Sequence, residues 1–173
     1  QLKTLRGKRF HKKKNHLNRF LRTYEGRYEY KTINCNNMKE VDEFYQIWLD
    51  NRGYEDIQDT IQSEDIGVRE VLQNCNKLEC KFGSVYVDGV LQAFTIGTYD
   101  PSIECAFIHT EKANTQITGL YNYINQQFLI NAFPDAKLVN REDDLGQAGL
   151  RKSKLSYRPI RLEEKYFIKQ KNF

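Results

Sequence analysis

Phe107-Ile108-His109-Thr110-Glu111-Lys112-Ala113-Asn114-Thr115-Gln116-Ile117-Thr118-Gly119-Leu120-Tyr121 is the stretch on which the fold turns. Residues 103–110 are rich in apolar side chains and read as a central strand. Residues 114–119 are polar, and Leu120, Tyr123, Ile124, Phe128 and Leu129 then recur at helical spacing as far as Pro134. A loop rising from a central strand into a helix presents backbone amides that have no partner inside the helix. Together with the helix dipole they suit a phosphate or pyrophosphate. Asn114, Gln116, Gly119 and Leu120 are therefore the expected donor-binding residues, set against the plainer reading of an ordinary loop and helix start.

Working outward, residues 81–87 and 90–97 read as strands joined by Asp88-Gly89, a hairpin signal because both residues tolerate positive φ. Tyr99-Asp100-Pro101-Ser102 makes a second turn. Upstream, Phe10, Leu17, Phe20, Leu21 and Tyr24 share one face of a helix that Gly26 ends, and residues 28–33 alternate as a strand. Asn37 with Glu40 has the capping-box spacing for a helix carrying Val41, Phe44, Tyr45, Trp48 and Leu49, with Gly53 at its end. Ser63 is expected to open another helix, with Glu64 and Asp65 in its first turn. Downstream, residues 136–140 read as a strand, 145–153 as a short helix and 166–168 as a last strand. The order is strand, helix, helix, three antiparallel strands, helix, strand, helix, strand. That is not the regular alternation of a doubly wound sheet. It is the order of a GNAT-like α/β (α+β) domain, a mixed central sheet flanked by helices.

A chain of 173 residues is one domain in size. Its charge is uneven. Nine of the 27 basic residues fall within residues 1–22, where there is no acid, so 18 face all 23 acidic residues in the rest. Residues 1–27 therefore read as a basic helical lead-in and 28–173 as the folded domain. Lys8, Arg9, Lys12, Lys13 and Lys14 are the expected anion-binding residues, for tRNA or another polyanion, although a Lys-rich helix face is often merely solvated. No stretch is long and apolar enough for a transmembrane span, and no signal peptide is visible. Cys35, Cys75, Cys80 and Cys105 form no C-x-x-C pair, so reduced thiols in a cytoplasmic protein are expected, with no metal site. The first residue is Gln1 and the sole methionine is Met38, which reads as a piece of a longer polypeptide.

Three clusters can carry chemistry. Strict alternation puts His109 and Glu111 on one face of their strand, where either can take a proton from an attacking amine. The bland alternative is a histidine satisfied by a neighbouring carboxylate. Arg141 suits a phosphate or carboxylate and Lys154 a developing oxyanion, whereas Asp143 or Asp144 reads as a helix cap.

The runs Arg6–Asn18, Ala93–Gly97, His109–Asn114 and Asn140–Gly146 resemble an uncharacterised bacterial family that belongs with the C-terminal domain of phosphatidylglycerol lysyltransferase. The resemblance implies two GNAT-like halves in tandem, with an N-terminal half of the same protein as partner. It implies an acyl- or aminoacyl-group transferase, in which His109, Glu111, Lys154 and Arg141, singled out above, are the expected catalytic residues. No tightly bound cofactor is expected; acyl-CoA or aminoacyl-tRNA would be co-substrate. Gln116 and Gly119 fit the Gln-x-x-Gly-x-Gly/Ala loop of CoA-binding GNAT enzymes, but Tyr121 stands where a small residue belongs. Lys154-Leu155-Ser156-Tyr157-Arg158-Pro159 approximates the family's Lys-Phe-x-Pro ending, with an insertion and without the Phe. Without a membrane-spanning half, membrane contact and a lipid acceptor stay open. The alternatives are a non-catalytic nucleic-acid or anion-binding module and a degenerate GNAT scaffold.

Overall fold

The computed structural model describes residues 1–51, 58–166 and 168, and for residues 58–63 the backbone alone. It divides into two compact units, Gln1–Asp143 and Asp144–Phe173. The first holds α1 (His11–Thr23), β1 (Tyr28–Ile33), α2 (Met38–Asp50), α3 (Gln58–Gln73), β2 (Lys81–Val87), β3 (Val90–Asp100), β4 (Cys105–Ala113), α4 (Leu120–Asn131) and β5 (Leu138–Asn140). The second holds α5 (Ala148–Leu155).

The five strands lie in sequence order, β1 to β4 antiparallel and β5 parallel to β4. One face of the sheet is covered by α2 and α3, which bury Val41, Phe44, Tyr45, Val68 and Leu72 against Phe82, Phe94 and Ile96. The other carries α1 and α4. There Phe10, Leu17 and Phe20 pack with Leu120, Tyr123 and Ile124 over Val85, Val87 and Ala93. The basic lead-in is therefore part of the first unit, because its apolar stripe completes that layer. At the far end Ala106 and Ile108 meet Phe128, Leu129 and Phe133.

The approach of α1 to α4 is set by Gly119. Its φ is +89°, and a Cβ there would lie 2.1 Å from the His16 carbonyl oxygen. Its missing side chain makes room for the backbone of α1.

Several local expectations change. Asn37 does not cap α2 with its side chain. It closes a capping box with Asn34 on the preceding 3₁₀ turn, Cys35–Asn37, while Glu40 accepts a 2.6 Å hydrogen bond from the Tyr86 hydroxyl. Helix α3 begins at Gln58 rather than Ser63. Gly53 and Phe167 lie outside the described residues, and Tyr166 and Ile168 are exposed and form no strand. Reduced cysteines are also corrected. Cys35 and Cys75 form a disulfide with their Cα atoms 5.7 Å apart, because α2 and α3 return the chain to the same edge of the core. Cys80 and Cys105 are not disulfide-bonded.

Gly119→Ala should lower the unfolding free energy by about 2–3 kcal/mol, seen as an earlier urea midpoint. An unchanged midpoint would mean that α1 is not seated on Gly119. Thiol titration of the denatured, unreduced protein should count two free thiols per chain, rising to four after reduction.

Candidate active site

Strands β3 and β4 stay in register down to Ile96, which faces Thr110, and the next pair is Gly97 with Ile108. His109 is thus the extra residue of a β-bulge. Gly97 permits it: a Cβ there would sit 2.6 Å from the Phe107 carbonyl oxygen. The bulge overturns the expected alternation. Before it, Ala106 and Ile108 face α4. After it, Thr110 lines a pocket with Val68, Val71 and Ile96, and Lys112 bonds Glu64 at 2.7 Å beneath the Trp48 ring. Glu111 turns towards α4 instead, so His109 and Glu111 do not share a face.

His109 keeps 40% of its side chain exposed and lines that same pocket, with Cys80 and Glu64 at its rim. Its Nδ1 lies 3.2 Å from Glu142 Oε1 and its Nε2 2.8 Å from Thr98 Oγ1. A carboxylate only accepts, so Nδ1 carries a proton, and in the neutral imidazole Nε2 carries the lone pair. Glu111 is 7% exposed and both its oxygens are engaged, Oε1 by Arg141 at 3.1 Å and Oε2 by the buried Asn125 at 2.9 Å. Pairing of β5 with β4 ends at Phe107–Asn140, so the chain leaving β5 delivers Arg141 to Glu111 and Glu142 to His109.

The basic helix reaches this cluster as well. Lys12 and Lys14 are exposed, as are Lys8 and Arg9, but Lys13 is half-buried beside Arg141 and Glu111. Burial, then the Arg141 charge, lowers its ammonium group from 10.5 to about 8, against the pull of Glu111. In the donor loop, Asn114 bonds Gln92 through its backbone N–H (2.9 Å) and side-chain amide (2.8 Å), and its Oδ1 accepts from the Gln116 N–H at 2.9 Å. Gln116 is exposed, Leu120 is fully buried, and the Gly119 Cα faces His16.

Lys154 belongs to the second unit, on α5. There Asp144 does not cap the helix with its side chain. It accepts hydrogen bonds from Arg151 and from the Gly146 N–H, which hold its carboxyl below the usual range, with Lys154 adding to the pull. Among the described residues no group of three or more His, Cys, Asp and Glu could hold a metal ion, and no helix is long and apolar enough to cross a membrane. Thr98, Asn125 and Glu142 are site residues that sequence reading passed over. Glu142 lay inside a quoted run, but only the fold sets it against His109.

The Lys13 shift has a definite sign. The folded state disfavours the charged amine, so the unfolded chain binds more protons between pH 8 and 10.5 and stability rises with pH across that window. Lys13→Met should therefore raise the urea midpoint at neutral pH, and the gain should fade as pH climbs through 10.5. A gain constant with pH would place Lys13 in solvent.

A family model described as phosphatidylglycerol lysyltransferase, C-terminal, matches residues 1–169. An uncharacterised protein of Mycoplasmoides gallisepticum is 28% identical over 171 residues, covering 98% of this chain and 53% of that protein. A conserved protein of unknown function from Bacteroides thetaiotaomicron superposes with a TM-score of 0.85 at 38% identity, over 93% of this chain and 53% of the other. The chain spans about half the length of these relatives. More distantly, a possible acetyltransferase from Clostridium difficile has a TM-score of 0.56 at 13% identity, over 85% of this chain and 99% of its own. The ribosomal-protein-alanine N-acetyltransferase of Brucella melitensis gives 0.56 at 10%, over 83% and 98%. These two share the fold alone, which is the GNAT-like α/β fold that the element order led us to expect. By the match along almost its whole length, the chain belongs to the phosphatidylglycerol lysyltransferase C-terminal family.

Proposed function

We propose that this chain is the working half of an aminoacyl-group transferase, passing an activated acyl group from charged tRNA to an amine or hydroxyl acceptor. The observation that carries the reading is His109. The bulge lifts it out of the ladder, half-exposed, with Glu142 on Nδ1 and a lone pair left on Nε2. An imidazole so held is suited to take a proton from an acceptor. Glu111, engaged at both oxygens, serves better as the anchor of Arg141 than as a base. Arg141 and the half-buried Lys13 bring positive charge towards the reacting carbonyl.

Two observations favour tRNA over acyl-CoA as donor. Lys8, Arg9, Lys12 and Lys14 form an exposed basic run that continues into the site through Lys13. In addition, the His16 carbonyl stands against Gly119, where a CoA pyrophosphate would need close approach. The relatives' greater length leaves room for a second half that takes part in binding or catalysis.

Transfer of a labelled aminoacyl group from tRNA should be measured with this chain and with a polypeptide of the relatives' full length. His109→Ala is expected to lower turnover by about 100-fold. Neutralising Lys12 and Lys14 should weaken tRNA binding and flatten its salt dependence. Transfer from acetyl-CoA alone would reverse the donor assignment. Salt-sensitive tRNA binding without transfer from either donor would point to a non-catalytic binding module.

A further inference from the structure

We propose that Thr98, His109 and Glu142 form a proton relay in which the Thr98 hydroxyl, rather than the imidazole, meets the incoming acceptor. The proposal rests on the transferase reading and names the order in which the proton travels. Three contacts carry it. Glu142 Oε1 lies 3.2 Å from Nδ1, which fixes the proton on that nitrogen. In the neutral ring Nε2 then has only a lone pair, and the atom 2.8 Å from it is Thr98 Oγ1. That hydroxyl must donate to Nε2, so what its oxygen offers a ligand is acceptor capacity. In the relay this oxygen receives the substrate N–H or O–H.

The surrounding backbone is arranged for this contact. Thr98 pairs with Phe107 across the ladder, two residues before His109, and the bulge leaves His109 itself without a partner on β3. The ring lies nearly parallel to that of Phe107, with planes 13° and centroids 6.5 Å apart. Glu142 is held at φ +58°, a left-handed conformation that costs a non-glycine residue about 1 kcal/mol or more. Its N–H is pinned by the Asn140 side chain at 2.8 Å. A histidine needing only a satisfied nitrogen would not require a strained carboxylate on one side and a hydroxyl on the other. All three groups are partly open to solvent, as a relay to a bound substrate demands.

In the proposed step the acceptor's N–H or O–H proton passes to Thr98 Oγ as the threonine's own hydrogen passes to Nε2. The electron pair released on the acceptor forms the bond to the donor's carbonyl carbon. Glu142 stabilises the imidazolium. When the tetrahedral intermediate collapses, the bond from carbonyl carbon to the leaving ester oxygen breaks, and that oxygen takes the proton back from the relay. Thr98 and His109 are restored, and the net movement is one proton from acceptor to leaving group.

Two measurements test this. In ¹⁵N NMR of the histidine-labelled protein, the ring signals of His109, assigned against a His109→Asn variant, should report the Nδ1–H tautomer. Glu142→Ala should abolish that preference and Thr98→Val should keep it. In transfer assays Thr98→Val should lower kcat by about 100-fold with KM nearly unchanged, and Thr98→Ser should restore activity to within about threefold. An Nε2–H tautomer in the wild-type protein, full turnover by Thr98→Val, or an acyl adduct on Thr98 found by mass spectrometry would each overturn the relay. If no donor supports transfer, the parent reading fails, while the tautomer still judges the hydrogen-bond chain on its own.

Discussion

Everything in the candidate site depends on one inserted residue. With His109 in register, β4 would keep a single alternation from end to end, and Glu111 and Lys112 would exchange faces. The bulge divides the strand into two halves of opposite sense. Its first half delivers Ala106 and Ile108 to α4, and its second delivers Lys112 to Trp48 and Glu64 while Glu111 turns to Asn125. Gly97 makes this possible, since a side chain there would collide with the Phe107 carbonyl. A backbone adjustment of one residue thus separates a buried structural carboxylate from a half-exposed imidazole that lies two positions away in sequence.

The second constraint is the seating of α1. Its Lys and Arg side chains suggest a surface helix, yet Phe10, Leu17 and Phe20 are buried and its backbone touches Gly119. The same helix therefore does two things. Its apolar stripe completes the layer over the sheet, and its polar side runs from exposed Lys12 and Lys14 to half-buried Lys13 beside Arg141. Holding a cation there has a cost in desolvation, which the nearby Glu111 offsets in part.

Much of this architecture was legible in the sequence. The bounds of β1 and β2 follow from plain alternation and from the Asp88-Gly89 turn, and the strand-to-helix change around residue 114 marks the site's neighbourhood. What could not be read has physical reasons. A period-two pattern carries no sign of an extra residue, so the faces of His109 and Glu111 came out wrong. Glu142 and Thr98 meet His109 only through the β3–β4 register and the β5 crossover, which no local propensity encodes. Lys13 looks like Lys12 and Lys14 on a helical wheel, and only packing tells them apart. The Cys35–Cys75 pair joins positions 40 residues apart, and their meeting depends on how α2 and α3 fold back.

That disulfide also changes what a break in the chain would mean. The bridge turns the segment from Cys35 to Cys75 into a closed covalent ring that contains α2 and α3. A peptide bond cut anywhere inside the ring leaves one molecule, with the helical layer still tethered to the sheet at both ends. The same cut in the reduced protein yields two fragments with no covalent link, joined only by non-covalent contacts such as the β1–β2 ladder, the packing of α1 on α4 and the apolar layer of α2 and α3.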